Sequence, residues 1–155
     1  MTGVQTCALP ISWGDPARPP VLVVHGWEGR GSQLATFVPA LRAAGFRVVA
    51  FDGPGHGQSR TQRSSAVHMA LAIERIAQHT GPLAGVVAHS VGGAATVLAF
   101  HLSRGALDVK RCVLVAPPVS AKRFFDGFCA ALGLHGVTRI AISPKGDRIA
   151  FVTQP

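Results

Sequence analysis

Residues 86–93 read Val-Val-Ala-His-Ser-Val-Gly-Gly, and few folds accommodate them. An apolar run enters the stretch and a helix of small residues leaves it. Between them a serine is flanked by residues that permit a sharp turn, the composition of a strand–nucleophile–helix elbow. A serine hydroxyl is a weak nucleophile until a base takes its proton, and it must protrude before a carbonyl carbon can reach it. A tight turn at the sheet edge lifts Ser90 clear, and the following helix aims its first N–H groups at a developing oxyanion. Gly92 removes a side chain where strand and helix nearly touch, while Gly93 and Ala94 keep the helix close. Such elbows usually carry glycine two residues before the serine; here that position is Ala88, the smallest replacement. Taken alone, the stretch also fits a serine capping an ordinary helix.

The surrounding chain has the alternation that an elbow requires. Residues 21–24 form a continuous apolar run suited to an interior parallel strand. The glycine-rich loop 25–31 follows, Ser32 is placed to cap a helix, and Leu34, Phe37, Val38 and Leu41 recur at helical spacing until Gly45 ends it. Residues 47–51 are a second strand and 52–59 a second glycine-rich loop. Ser64 or Ser65 caps a helix to about residue 80, with Val67, Ala70, Leu71, Ile73 and Ala77 as its sheet-facing candidates, and Gly81-Pro82 stops it. A third strand at 83–87 leads into the elbow, and a helix occupies 92–104. A fourth strand at 111–116 ends at Pro117-Pro118. Phe124, Phe125, Phe128 and Leu132 then mark an amphipathic helix over 120–132, either packed on the sheet or opening a lid. This order predicts a layered α/β domain of about four parallel strands. Ligands in such sheets sit beyond the carboxyl ends of the strands, where all three glycine-rich loops fall.

The two ends break the rhythm. Residues 2–11 look like translated sequencing-adapter sequence, so 1–11 is expected to be an artefact outside the fold, with Cys7 no part of a site. Residues 12–20 are a proline-bearing, extended lead-in. Residues 134–155 offer a hairpin signal at 137–142 and 148–152, either one blade-like unit or a spliced tail. The domain proper is therefore drawn at 12–133.

Over residues 20–133 the chain resembles the α/β-hydrolase superfamily, as an N-terminal and central fragment with a partial three-layer fold. The resemblance rests on the His25-Gly26 loop, on Asp52 through Ser59 with its Gly55-His56-Gly57-Gln58-Ser59, and on Ala88-His89-Ser90-Val91-Gly92. It implies a sheet order of second, first, third, fourth strand, with Trp27 beside Ser90. It also implies Ser90 as nucleophile, the backbone N–H groups of Trp27 and Val91 as the oxyanion hole, and no metal or organic cofactor. His25, Glu28 and His89 are possible pocket residues. Asp52, Gly55, His56, Gly57 and Gly92 are structural; Asp52 is read as accepting hydrogen bonds from its own loop. In the family, the acid and histidine of the triad follow later strands. No matching positions are found here, and Asp126, Asp147 and His135 do not make a convincing substitute. The parent protein is thus expected to hydrolyse an ester or related acyl compound, and this fragment to be inactive. The alternative is a binding module for a small molecule or protein on a degenerate hydrolase scaffold.

Composition narrows the partners. The formal charge is +8, but the basic residues are scattered, with no run beyond two neighbours such as Lys110-Arg111. Without a nucleic-acid motif, specific nucleic-acid binding is not expected; the expected partner is a small acyl substrate. No apolar run is long enough to span a membrane. Three cysteines at irregular spacing fit neither a disulfide framework nor a metal knuckle, which favours a reducing cytoplasm. The oligomeric state stays open.

Overall fold

The computed structural model describes residues 10–59, 64–120, 123, 126, 130, 137–142 and 149–153. It divides into two units, Met1–Pro117 and Pro118–Pro155. In the first, strands β1 (Ile11–Trp13), β2 (Pro20–Val24), β3 (Arg47–Ala50), β4 (Gly85–His89) and β5 (Cys112–Val115) form one sheet in the order β1-β3-β2-β4-β5. The four inner-order strands β3, β2, β4 and β5 are parallel, with Leu22 opposite Val49 and Val86, and Val87 opposite Val113. This is the expected order, and the strands can run parallel because each crossover passes through helical or loop structure rather than a tight hairpin.

The continuous apolar runs are explained by the two faces of the sheet. Leu22 and Val24 face one side, where Phe51, Val86 and the buried residues of two helices meet. These are α2 (Ala66–Thr80) and α3 (Val91–Leu102). Val23, Val48 and Ala50 face the other side, against Leu34 and Val38. A central strand covered on both faces needs no polar alternation.

One short strand is added and three local expectations are corrected. Ile11–Trp13, split by the boundary drawn after residue 11, pairs antiparallel with β3 through Ile11–Ala50, Ser12–Val49 and Trp13–Val48. The helix expected after Ser32 is a 3-10 segment at Gly31–Phe37, followed by α1 (Val38–Ala43), and Arg30 rather than Ser32 precedes it. Pro39 favours the beginning of a new helix over the interior of a long one. Of the residues at that spacing, Phe37 is exposed while Leu34 and Val38 are buried. On α2 the buried face is Met69, Ala70, Ala72, Ile73, Ile76 and Ala77, so Val67 and Leu71, an apolar pair one turn apart, face outward. The helix boundaries follow ordinary chemistry. The Ser65 side chain accepts the His68 N–H at the start of α2. Past α1, the Gly45 and Phe46 N–H groups close onto the Arg42 and Leu41 carbonyls, with Gly45 at φ +86°.

In the second unit, β6 (Val137–Ile142) pairs antiparallel with β7 (Ile149–Thr153). The Arg123 N–H donates to Ser120 Oγ at 3.3 Å, an N-cap arrangement. The apolar stripe Phe124, Phe125, Phe128 and Leu132 lies outside the described residues.

Among the described strands β5 has one neighbour, β4, and its Val113 is 54% exposed. An apolar strand with a free edge templates pairing with another chain, and edge lysine blocks it. Val113→Lys should reduce concentration-dependent association, measured by light scattering, while circular dichroism stays unchanged.

Candidate active site

Ser90 sits between the end of β4 and the start of α3 with φ +51° and ψ −127°. A non-glycine residue in such a conformation costs on the order of 1–3 kcal/mol and persists only when its surroundings hold it. Two anchors do so. The Ser90 N–H donates to the Val115 carbonyl at the end of β5 at 2.9 Å, and the Ser90 carbonyl accepts from Gly93 N–H at 2.8 Å. Ala88 is fully buried between Val24 and Leu114. Alanine in the usual glycine position is therefore accommodated within the sheet. Val91 opens α3, so its N–H has no helical carbonyl four residues back.

Gly92 is where α3 meets β2. A Cβ there would run into the His25 carbonyl and come within 3.0 Å of the Val24 carbonyl. Both obstacles are backbone and cannot swing aside.

The parallel register of β2 and β4 sets the loop 25–31 next to the serine. A Cβ on Gly26 would stand 3.0 Å from both Ser90 Cβ and His89 Nδ1. The Gly26–Gly29 turn closes through Gly29 N–H to the Gly26 carbonyl at 3.1 Å. Trp27 and Glu28 occupy its exposed corner, Glu28 with φ +56°. His89 is half-buried, and its Nδ1 is enclosed without a hydrogen-bond partner among the described residues.

His25 ties this loop to the next. Its Nδ1 lies 2.7 Å from the Gly26 carbonyl. A carbonyl only accepts, so Nδ1 carries the hydrogen, and Nε2 accepts the Gly53 N–H at 2.8 Å. Both nitrogens are thus committed, which removes His25 as a proton-transfer group. Burial pushes its pKa below the ordinary 6.5, and the neighbouring His56 adds to this; the Gly26 bond and Asp52 act in the opposite direction.

Asp52 makes the second tie. Its Oδ1 accepts the Gly31 N–H at 2.7 Å, and Oδ2 accepts the Gln58 N–H at 2.8 Å. One carboxylate therefore spans both loops. Gly57, at φ +51°, lies so close to it that a Cβ would overlap the carboxylate. Gly55 is exposed at the turn, with φ +74°. The His56 Nδ1–H donates to the Pro54 carbonyl at 2.9 Å.

Ser90, Val91, Gly92, His89, His25 and Trp27 are thus gathered at the carboxyl ends of β2 and β4, with Asp52 and His56 bracing them from the neighbouring loop. Among the described residues no side chain is hydrogen-bonded to Ser90 Oγ, and no three metal-ligating side chains cluster. Asp126 is exposed and belongs to the second unit; Asp147 and His135 lie outside the described residues. Two features escaped sequence reasoning. One is a ring cluster: His25 contacts Phe51 and His56, and His56 contacts Trp27. No periodicity signals contacts between loops. The other is a cleft of about 230 Å³ at the opposite, amino ends of β4 and β5, lined by Glu74, Gln78, Pro82, Leu107 and Asp108 among others.

Two expected outcomes follow from this geometry. Gly92→Ala must separate α3 from β2, and overpacking of this kind costs about 1–3 kcal/mol; a fall in Tm of several degrees should be seen by calorimetry. For His25, the unfolded chain takes up a proton more readily than the folded one. Its contribution to stability is therefore full above about pH 6.5 and is lost as pH falls through the lower folded value. The Tm gap between wild type and His25→Asn should be constant above that pH and narrow below it.

Residues 19–139 match the family described as the alpha/beta hydrolase fold. Among solved structures, a monoacylglycerol lipase of Paleococcus ferrophilus is 26% identical, with a TM-score of 0.63, over 81% of this chain and 50% of the lipase. The thioesterase domain from the curacin biosynthetic pathway is 28% identical, with a TM-score of 0.63, over 87% of this chain and 50% of that domain. A curated relative, the magnesium-chelatase 30 kDa subunit of Rhodobacter capsulatus, is 35% identical over 94 residues, 55% of this chain and 33% of the relative. The chain spans about half the length of those two structures and a third of that relative. With most of its length matched to the family, and with its sheet order and elbow in place, the chain belongs to the alpha/beta hydrolase fold family.

Proposed function

We propose that Ser90 is the nucleophile of a serine hydrolase acting on an ester or related acyl compound through an acyl-enzyme. The observation that carries this reading is the conformation of Ser90, held at φ +51° between strand and helix beside a loop whose Gly26 approaches it closely. The lipase and thioesterase among the similar structures support the substrate class. In the proposed mechanism a histidine removes the Ser90 proton as Oγ attacks the carbonyl carbon, and an Asp or Glu orients that histidine. The N–H groups of Val91 and Trp27 hold the tetrahedral oxyanion. Collapse expels the leaving group, which takes the proton back from the histidine, and water then releases the acyl group. We assign the histidine and the acid to the part of the longer relatives that this chain does not cover, so these 155 residues alone are proposed to be inactive. The irregular cysteines support assignment to a reducing cytoplasm.

A second reading, a binding module on the same scaffold, is favoured by the name of the curated relative as a chelatase subunit. A fluorophosphonate probe separates the two: a folded full-length protein that takes no label at Ser90 supports the binding module.

For the hydrolase reading, Ser90→Ala in the full-length protein should lower turnover of activated esters by at least about a thousandfold and abolish the covalent adduct in mass spectrometry, with the fold intact. Trp27→Ala should shift preference among the esters with a smaller loss than S90A, because it removes a side chain and not the backbone N–H itself. Undiminished turnover in S90A, or an adduct on another residue, refutes the mechanism.

A further inference from the structure

We infer that His56 is a positioning residue whose ring fixes the Trp27 corner of the loop beside Ser90; its bearing on catalysis rests on the proposed role of Ser90. The Trp27 side chain is 42% exposed, so burial alone does not fix it. Its corner of the Gly26–Gly29 turn is made by the unfavourable φ of Glu28. Among the described residues the His56 ring meets the indole, with centroids 5.2 Å apart and planes at 83°. That is the edge-to-face geometry in which aromatic rings attract.

His56 is itself immobilised on two sides. Its Nδ1–H is directed at the Pro54 carbonyl at 2.9 Å, with Ser64 Oγ 3.5 Å away. Its ring also packs on His25 at 5.1 Å with planes at 60°. His25 is in turn pinned at both nitrogens. The rings thus form a chain from the sheet core at Phe51 through His25 and His56 to Trp27. Through this chain the second glycine-rich loop dictates where the first places its exposed corner. The position of the Trp27 backbone follows from it, and so does the wall that the indole presents to an acyl group.

The test uses the 155-residue chain and needs no turnover. Only Trp13 and Trp27 are tryptophans, so Trp13→Phe leaves Trp27 as the single fluorophore. In that background His56→Ala should raise acrylamide quenching of Trp27 about twofold and change its emission spectrum, while His56→Phe, which keeps a ring but loses the bond to Pro54, should stay near the parent values. His56→Leu fills the space without a ring and should behave like the alanine variant; it decides the question if His56→Ala fails to fold. Equal quenching in Phe and Leu variants overturns the inference. In the full-length protein, His56→Leu should lower kcat about fivefold or more, with KM changing less, and His56→Phe should restore it. A fluorescence response without any kinetic response overturns the catalytic bearing alone. The fate of the nucleophile reading is decided separately by S90A.

Discussion

Everything at the site depends on how closely α3 is allowed to approach the end of β2. The helix begins against the last carbonyls of that strand, and the contact exists because position 92 has no side chain. The approach fixes the first turn of α3 at the carboxyl end of the sheet, with unsatisfied N–H groups at its start. It also forces the chain to leave β4 through one strained residue, Ser90. That residue is hydrogen-bonded on both sides, to the end of β5 and to the first turn of the helix. A helix set an ångström farther away would relax the serine and draw it away from the Gly26 loop together.

The two glycine-rich loops are tied to each other for a related reason. Each alone is a run of small residues with little apolar area to bury, and would have high conformational entropy. Buried polar groups in the gap between them compensate. Asp52 accepts from Gly31 and Gln58, and His25 accepts from Gly53 while donating to Gly26. Buried hydrogen-bonding groups are costly to leave without partners, so loosening either loop exposes the other to that cost. Glycine is required at Gly57 by the carboxylate itself.

The sheet was legible in the sequence because its strands are short apolar runs separated by well-signalled helix ends, such as Ser65, Gly45 and Gly81-Pro82. Strand order followed from the resemblance carried by the loops, not from periodicity. Failures occurred where local pattern and tertiary setting part company. Val67 and Leu71 make an attractive apolar pair, but Met69, Ile73 and Ile76 define a better-matched face toward the sheet. Ile11–Trp13 is too short to announce itself as a strand, and its pairing with β3 is a long-range event. At the site, residue types and spacing pointed to Ser90 and its loops. The tautomer of His25, the double role of Asp52 and the ring contact of Trp27 with His56 depend on distances across the chain that spacing does not encode.

The committed state of His25 has a consequence for experiments on this fold. The side chain is 1% exposed, with one nitrogen donating and the other accepting within the protein. An imidazole-directed acylating reagent such as diethyl pyrocarbonate needs a free, accessible nitrogen lone pair. It will therefore meet the exposed rings of His68, His79 and His101 before it meets the histidine beside the serine loop. Acylation counted within these residues therefore records the peripheral rings and leaves His25 out of the count.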